Sequence, residues 1–146
     1  MRPRIRQLGE EEIAKLLALD VPAHLATIDP DGFPRITPIW FLWADGAFHM
    51  TSVEGQPHLR NIVRNPRASV CVDTEERESA SGARPNRRVR AQGKAELTQD
   101  EGGEWTRWIT LKYVQGEEGE ARAAYRAAMP RLLIRLRPLR LTAQGT

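Results

Sequence analysis

Cysteine is nearly absent from this chain: Cys71 stands alone, so no intramolecular disulfide can form, and its place between Val70 and Val72 predicts a buried, unreactive thiol. Histidine is sparse as well. His24, His49 and His58 have none of the spacings of a metal motif, and no metal is expected. Lysine occurs only at positions 15, 94 and 112, which leaves arginine to carry most of the positive charge. No apolar run approaches the roughly 20 residues that span a bilayer, so no membrane partner is expected. Met1-Arg2-Pro3-Arg4-Ile5-Arg6 is basic but leads into a charged amphipathic segment rather than the apolar stretch of a secretory signal, and the cytoplasm is the expected compartment. The patterns GxGxxG, GxxxxGK and GxSxG are also missing. With them go the usual warrants for a Rossmann dinucleotide site, a phosphate loop and a serine hydrolase.

What is present fits one domain over residues 1–146, with 40% hydrophobic and 28% charged residues, a globular balance. Net charge is +3. Arginine meets phosphate through a planar fork of donors, so a phosphorylated small molecule and a nucleic acid are both admissible partners, beside a merely solvated basic surface. Arg84, Arg87, Arg88 and Arg90 come with no recognition motif and no series of exposed aromatics for stacking. Nucleic acid is therefore not the expected partner.

Periodicity supplies the elements. Gly9 to Leu19 carries Ile13, Leu16 and Leu17 at helical spacing, with three glutamates in the first turn. Strands are read at Ala23–Ile28, Phe33–Trp43 and Ala47–Ser52, joined by turns at Asp29–Gly32 and Ala44–Gly46 into an antiparallel meander. A short helix over Gly55–Asn65, a strand over Ala68–Val72, and an aperiodic, mobile loop over Thr74–Asn86 follow. Arg87 to Leu97 alternates as a long strand in which Gly93 marks a bulge or a close backbone approach. Two helices, Asp100–Val114 and Glu117–Met129, precede a last strand over Arg131–Leu136. About six strands with short helices make the chain mainly β and favour a small antiparallel barrel or an α+β domain over a doubly wound sheet. Trp105, Trp108, Lys112 and Tyr113 are either core and dimer contacts or the lining of a substrate mouth.

Three stretches in this order carry a resemblance: Leu25-Ala26-Thr27-Ile28-Asp29-Pro30-Asp31-Gly32-Phe33-Pro34, Arg60-Asn61-Ile62-Val63-Arg64-Asn65-Pro66-Arg67-Ala68-Ser69-Val70, and Arg87-Arg88-Val89-Arg90-Ala91-Gln92-Gly93-Lys94-Ala95-Glu96-Leu97. With Thr37-Pro38-Ile39-Trp40-Phe41 between the first two, residues 22–97 resemble the pyridoxamine-phosphate-oxidase-like family. That resemblance implies an FMN-binding type of split β-barrel and a homodimer with flavin sites at the subunit interface. It also implies FMN or the deazaflavin coenzyme as cofactor, serving hydride transfer to or from a small organic substrate. On the same fold the alternative is a non-catalytic flavin, deazaflavin or haem binder.

Carried over by position, the strand from Arg35 to Phe41 and the strand end from Met50 to Ser52 would border the cofactor, with Thr37, Pro38, Ile39 and Trp40 flanking the ring system and Thr51 and Ser52 near the ribityl chain or phosphate. His58 stands where the family usually has lysine or arginine on the phosphate, with Arg60, Arg35 or Arg88 as compensating cations. Arg88 matches a position whose side chain approaches the ring edge, and its other reading is an exposed cross-strand partner for an acid. Pro38 has no N–H for a ladder, so its strand must be an edge, bulged or opened there. The residues do not identify a catalytic acid or base.

Overall fold

Val89, Ala91, Gly93 and Ala95 face inward while Arg90, Gln92, Lys94 and Glu96 face out, as their alternation demands. In the computed structural model, which describes residues 4–77, 82 and 84–146, this strand is the central member of one antiparallel sheet. The elements are β1 (Arg6–Gln7), α1 (Glu10–Ala18), β2 (Ala23–Ile28), β3 (Pro34–Ile39), β4 (Leu42–Ala44), β5 (Ala47–Val53), α2 (Pro57–Arg64), β6 (Arg67–Glu75), β7 (Asn86–Gln99), α3 (Glu104–Tyr113), α4 (Gly116–Ala127) and β8 (Arg131–Gly145). A 3-10 turn at Glu101–Gly103 leads into α3.

Strand order is β3-β2-β6-β7-β8-β5-β4, with β1 paired to β8. The two ends of that order, β3 and β4, are consecutive in the chain and separated only by Trp40 and Phe41. Three Cα–Cα steps of about 3.8 Å cannot span an open seven-strand path. The sheet must therefore curl until its edges meet, and it forms a barrel that stays split at this link. The single strand expected over Phe33–Trp43 is thus two strands on opposite edges, and the three-strand meander does not form: β3 pairs with β2, whereas β4 pairs with β5. Pro38 lies on the edge strand β3, opposite His24, where its missing N–H breaks no ladder on the open side.

Local chemistry explains most of the joints. The β4–β5 hairpin turns on Asp45 and Gly46, both at positive φ, the two-residue turn whose twist suits flanking strands. β8 runs to Gly145, well past the expected end at Leu136, because Pro138 sits at a bulge. There the register shifts between Gln92 and Gly93, so that Gly93 faces Pro138 and Gln92 faces Arg140. The ladder absorbs the missing donor at that irregularity. A Cβ on Gly93 would lie 2.7 Å from the Arg137 carbonyl oxygen, so the close approach and the bulge coincide.

The core fills the barrel with Leu25, Phe41, Phe48, Met50, Val72 and Leu136, and α1 covers one end through Leu16 and Leu17. Cys71 is half-buried on the outer face of β6, not buried as its neighbours suggest, because Val70 and Val72 take the inward positions of the alternation. The loop expected over 74–86 gives up Thr74, Glu75 and Asn86 to strands, and residues 78–81 and 83 within it lie outside the described residues. Among the described residues no helix is long and apolar enough to cross a membrane.

Gly93→Ala forces the Arg137 backbone or the bulge to move, and we expect it to cost about 1–3 kcal/mol in urea unfolding. Unchanged stability would mean that the backbones of β7 and β8 are not in tight contact there.

Candidate functional site

Where β3 gives way to β4, the backbone of Phe41 has no strand neighbour, and buried polar groups must find partners elsewhere. Two consecutive side chains of α3 supply them. The Phe41 N–H donates to Tyr113 Oη at 3.2 Å, and Lys112 Nζ donates to the Phe41 carbonyl at 3.1 Å. Tyr113 in turn donates to the Val21 carbonyl at 2.8 Å, and Lys112 also reaches the Leu17 carbonyl at 3.0 Å, near the end of α1. The Phe41 ring is fully buried, tilted against Phe48, with the Lys112 ammonium 3.6 Å from its centroid. Trp40 stacks on Tyr113 at 4.5 Å between centroids and 4° between planes. Lys112 and Tyr113 are thus a clamp on the barrel split. Burial pushes the lysine down to about 8, against the attraction of Asp20, and pushes the tyrosine up to about 12.

Beside this clamp opens a cleft of about 330 Å³ lined by Pro22, Thr37, Pro38, Ile39, Trp40, Thr51, Ser52, Val53, Gln56, His58, Arg126 and Arg131. Its walls are the edge strand β3, the end of β5, the start of α2, the last turn of α4 and the start of β8. Thr37, Pro38, Ile39, Trp40, Thr51, Ser52 and His58, all singled out by the sequence, meet here. Arg35 and Arg60 line an adjoining cleft with Asp29, Asp31, Asn61 and Arg64 on the other side of the α2 start. Arg35 is there paired with Asp29 at 2.8 Å, and Arg60 donates to the Gly55 carbonyl at 2.6 Å. Met50 is fully buried in the barrel core. Arg88 lies on β7 opposite Asp73 and Gln144, donates to Gln144 Oε1 at 3.2 Å, and lines neither cleft.

Several polar groups at the cleft are already engaged. His58 is only 6% exposed, and its Nε2 meets Ser52 Oγ at 2.8 Å. Burial pushes the imidazole below its ordinary value, and repulsion from Arg35 adds to this, so the ring is neutral at pH 7. The Thr51 hydroxyl accepts from Arg131 Nε at 3.2 Å and lies 3.0 Å from the Thr106 hydroxyl, which donates to Asp100 Oδ2 at 2.6 Å. Asp100 also accepts the N–H groups of Trp105 and Thr106 at the start of α3.

Sequence reasoning missed Arg126 and Arg131. Arg126 donates to Thr110 Oγ1 at 2.6 Å and holds its guanidinium carbon 4.9 Å from the Trp40 ring centroid. Burial pushes it down to about 10, with repulsion from Arg131 and Arg122 adding to the effect. Burial also pushes Arg131 down. The available signal was the short link Ala127–Pro130, which returns the chain so that residues on either side of it share one wall. Of the four residues left open between core and mouth, Lys112 and Tyr113 form the clamp, and Trp105 stacks flat on His49 at 3.9 Å. Trp108 stands edge-on to Trp105.

The clamp has a pH signature. Folding lowers the Lys112 pKa from 10.5 to about 8, so the unfolded chain binds more protons in that interval and this residue makes stability rise with pH. Tyr113, raised from 10.0 to about 12, reverses the trend above pH 10. Lys112→Met should therefore flatten the rise between pH 8 and 10 in urea unfolding. An identical slope in variant and parent would contradict the buried ammonium.

A sequence model of the pyridoxamine 5'-phosphate oxidase family matches residues 10–145. Among solved structures, the fold is shared with a conserved hypothetical protein from Mycobacterium tuberculosis at 23% identity and a TM-score of 0.75, over 93% of this chain and 84% of that one. An FAD and haem binding protein from Mycobacterium smegmatis follows at 21% identity and 0.72, over 97% and 73%. An F420 reductase aligns at 22% identity and 0.64, over 87% and 93%. No curated protein matches the sequence. The barrel split between β3 and β4 and the match along nearly the whole sequence agree, and the chain belongs to the pyridoxamine 5'-phosphate oxidase family.

Proposed function

We propose that the cleft at the barrel split binds a flavin-type cofactor, FMN or a deazaflavin, and that the protein is an oxidoreductase acting on a small organic substrate. The observation that carries this reading is the convergence of Thr37, Pro38, Ile39 and Trp40 with Thr51, Ser52 and His58 in one cleft of a family member. The lining suits the group. Pro22, Pro38, Ile39 and Val53 give an apolar wall for a planar ring, while the arginines and Thr37 give a polar end. Solved structures of the same fold include an F420 reductase and an FAD and haem binding protein, which supports a redox cofactor of this class.

When bound, the ring supplies the hydride chemistry. The chain's own part is to bind and orient. The edge strand β3 offers its face because it ends the hydrogen-bonded order, a position that tolerates Pro38, and the clamp of Lys112 and Tyr113 fixes Trp40 and Phe41 beside it. Neutral His58 holds the Ser52 hydroxyl in place and adds no charge.

A second copy of the chain is part of the proposal. Phe33, Ile36 and Leu139 are 69%, 67% and 81% exposed. Ile36 and Leu139 border two grooves on the outer sheet face, an apolar surface suited to a homodimer. The compartment proposed is the cytoplasm.

The purified protein should bind FMN or reduced deazaflavin at micromolar concentrations with a shifted visible spectrum, and should elute as a dimer in gel filtration. Absence of binding to either cofactor sinks the cofactor reading. Binding with no turnover of any electron acceptor favours the non-catalytic binder.

A further inference from the structure

We propose that Arg126 and Arg131 together form an anion grip in the cleft that takes a phosphate monoester. The inference rests on the reading of the cleft as a cofactor site, but its evidence is separate. The two guanidiniums stand at either end of the Ala127–Pro130 link and line the same cleft. Both are half-buried, and among the described residues neither has a carboxylate within ion-pair distance. Taking a guanidinium out of water costs free energy unless a counter-charge restores it. Here burial and the neighbouring arginines push Arg126 down to about 10, which still leaves it charged at pH 7.

The groups around the pair hold it in place without neutralising it. Arg131 donates to the hydroxyl and carbonyl of Thr51 at 3.2 and 3.1 Å, and Arg126 donates to Thr110. Asp100 makes no ion pair with Arg131; it attracts the guanidinium from a distance, opposing the effect of burial without cancelling it, and is linked to it through the hydroxyls of Thr106 and Thr51. His58 on the facing wall is neutral. The cleft therefore holds two fixed cations and no anion, and an oxyanion with several acceptor oxygens is the complement that satisfies both forks at once. A phosphate monoester reaches this position either as the tail of the cofactor or as part of a phosphorylated substrate.

Equilibrium binding of FMN and of riboflavin, which lacks the phosphate, to the parent protein and to Arg126→Gln and Arg131→Gln separates these sources. A parent that prefers FMN, with each substitution weakening FMN roughly tenfold and leaving riboflavin unchanged, supports a grip on the cofactor phosphate. Should FMN be unaffected, calorimetric titration of inorganic phosphate into the FMN-loaded protein reads the other source, and loss of that binding in both variants supports a grip on a substrate phosphate. Arg126→Lys keeps the charge and should restore part of the affinity, a response that misfolding would not produce, and the melting temperatures of all variants are compared. If neither FMN preference nor phosphate binding depends on either arginine, the grip is overturned while the cofactor reading stands. If no flavin binds, the cofactor reading falls, and phosphate titration of the free protein alone decides the grip: binding lost in both variants supports it, and its absence in the parent overturns it.

Discussion

The rest of the structure depends on the two-residue link between β3 and β4. Because Trp40 and Phe41 connect strands at opposite ends of the hydrogen-bonded order, the sheet has to close on itself, yet it cannot pair across the seam. A seam in a barrel exposes backbone groups at the edge of the core, a cost usually avoided by full closure. Here α3 meets it with Lys112 on a carbonyl and Tyr113 on an N–H, while the Phe41 side chain plugs the interior. The outward-facing partner of that plug, Trp40, is pinned by Tyr113 and left at the lip of the cleft. One arrangement thus closes the core and opens the site.

Charge in the cleft follows from burial more than from composition. A net charge of +3 is small, and among the described residues Arg6, Arg35, Arg84, Arg87, Arg107 and Arg122 on the surface are matched to acids. The cleft departs from this balance. The hydroxyls of Thr51 and Ser52 are engaged with Arg131 and His58, while the two arginines keep N–H groups to offer a ligand. Such a site is organised in advance for an anion, and the ordering of its side chains need not be repeated when ligand arrives.

Much of this was legible in the chain. The strict alternation of β7, the Asp-Gly hairpin and the first helix all declare themselves, because each depends on neighbours within a few residues. The resemblance to a known family brought β3, the end of β5 and the start of α2 into one site before any fold was drawn. Other features were hidden by competing effects. Trp40-Phe41 continues the apolar run of β3 into β4, so nothing in the pattern marks the break. Pro138 suggests a strand end, yet the bulge opposite Gly93 tolerates it. Met50 is buried because it alternates with His49 and Thr51, which meet α3 on the other face of β5, and so points into the barrel core with Phe48. Arg126 reads in sequence as a favourable charge in the last turn of an alanine-rich helix, and only the return of the chain into β8 brings it beside Arg131 at the cleft.

In the function proposed, the barrel split, and no other concavity, holds the cofactor. A larger groove of about 450 Å³ lies on the outer sheet face between His24, Cys71 and Arg90, and it offers a clear competitor. A crystal structure of the protein grown with FMN decides between them. The tricyclic ring should lie along β3 between Thr37 and Trp40, with Trp40 and Phe41 still clamped by α3. Ring density in the groove beside Cys71, or a chain that runs from β3 into β4 as one unbroken strand, would contradict it.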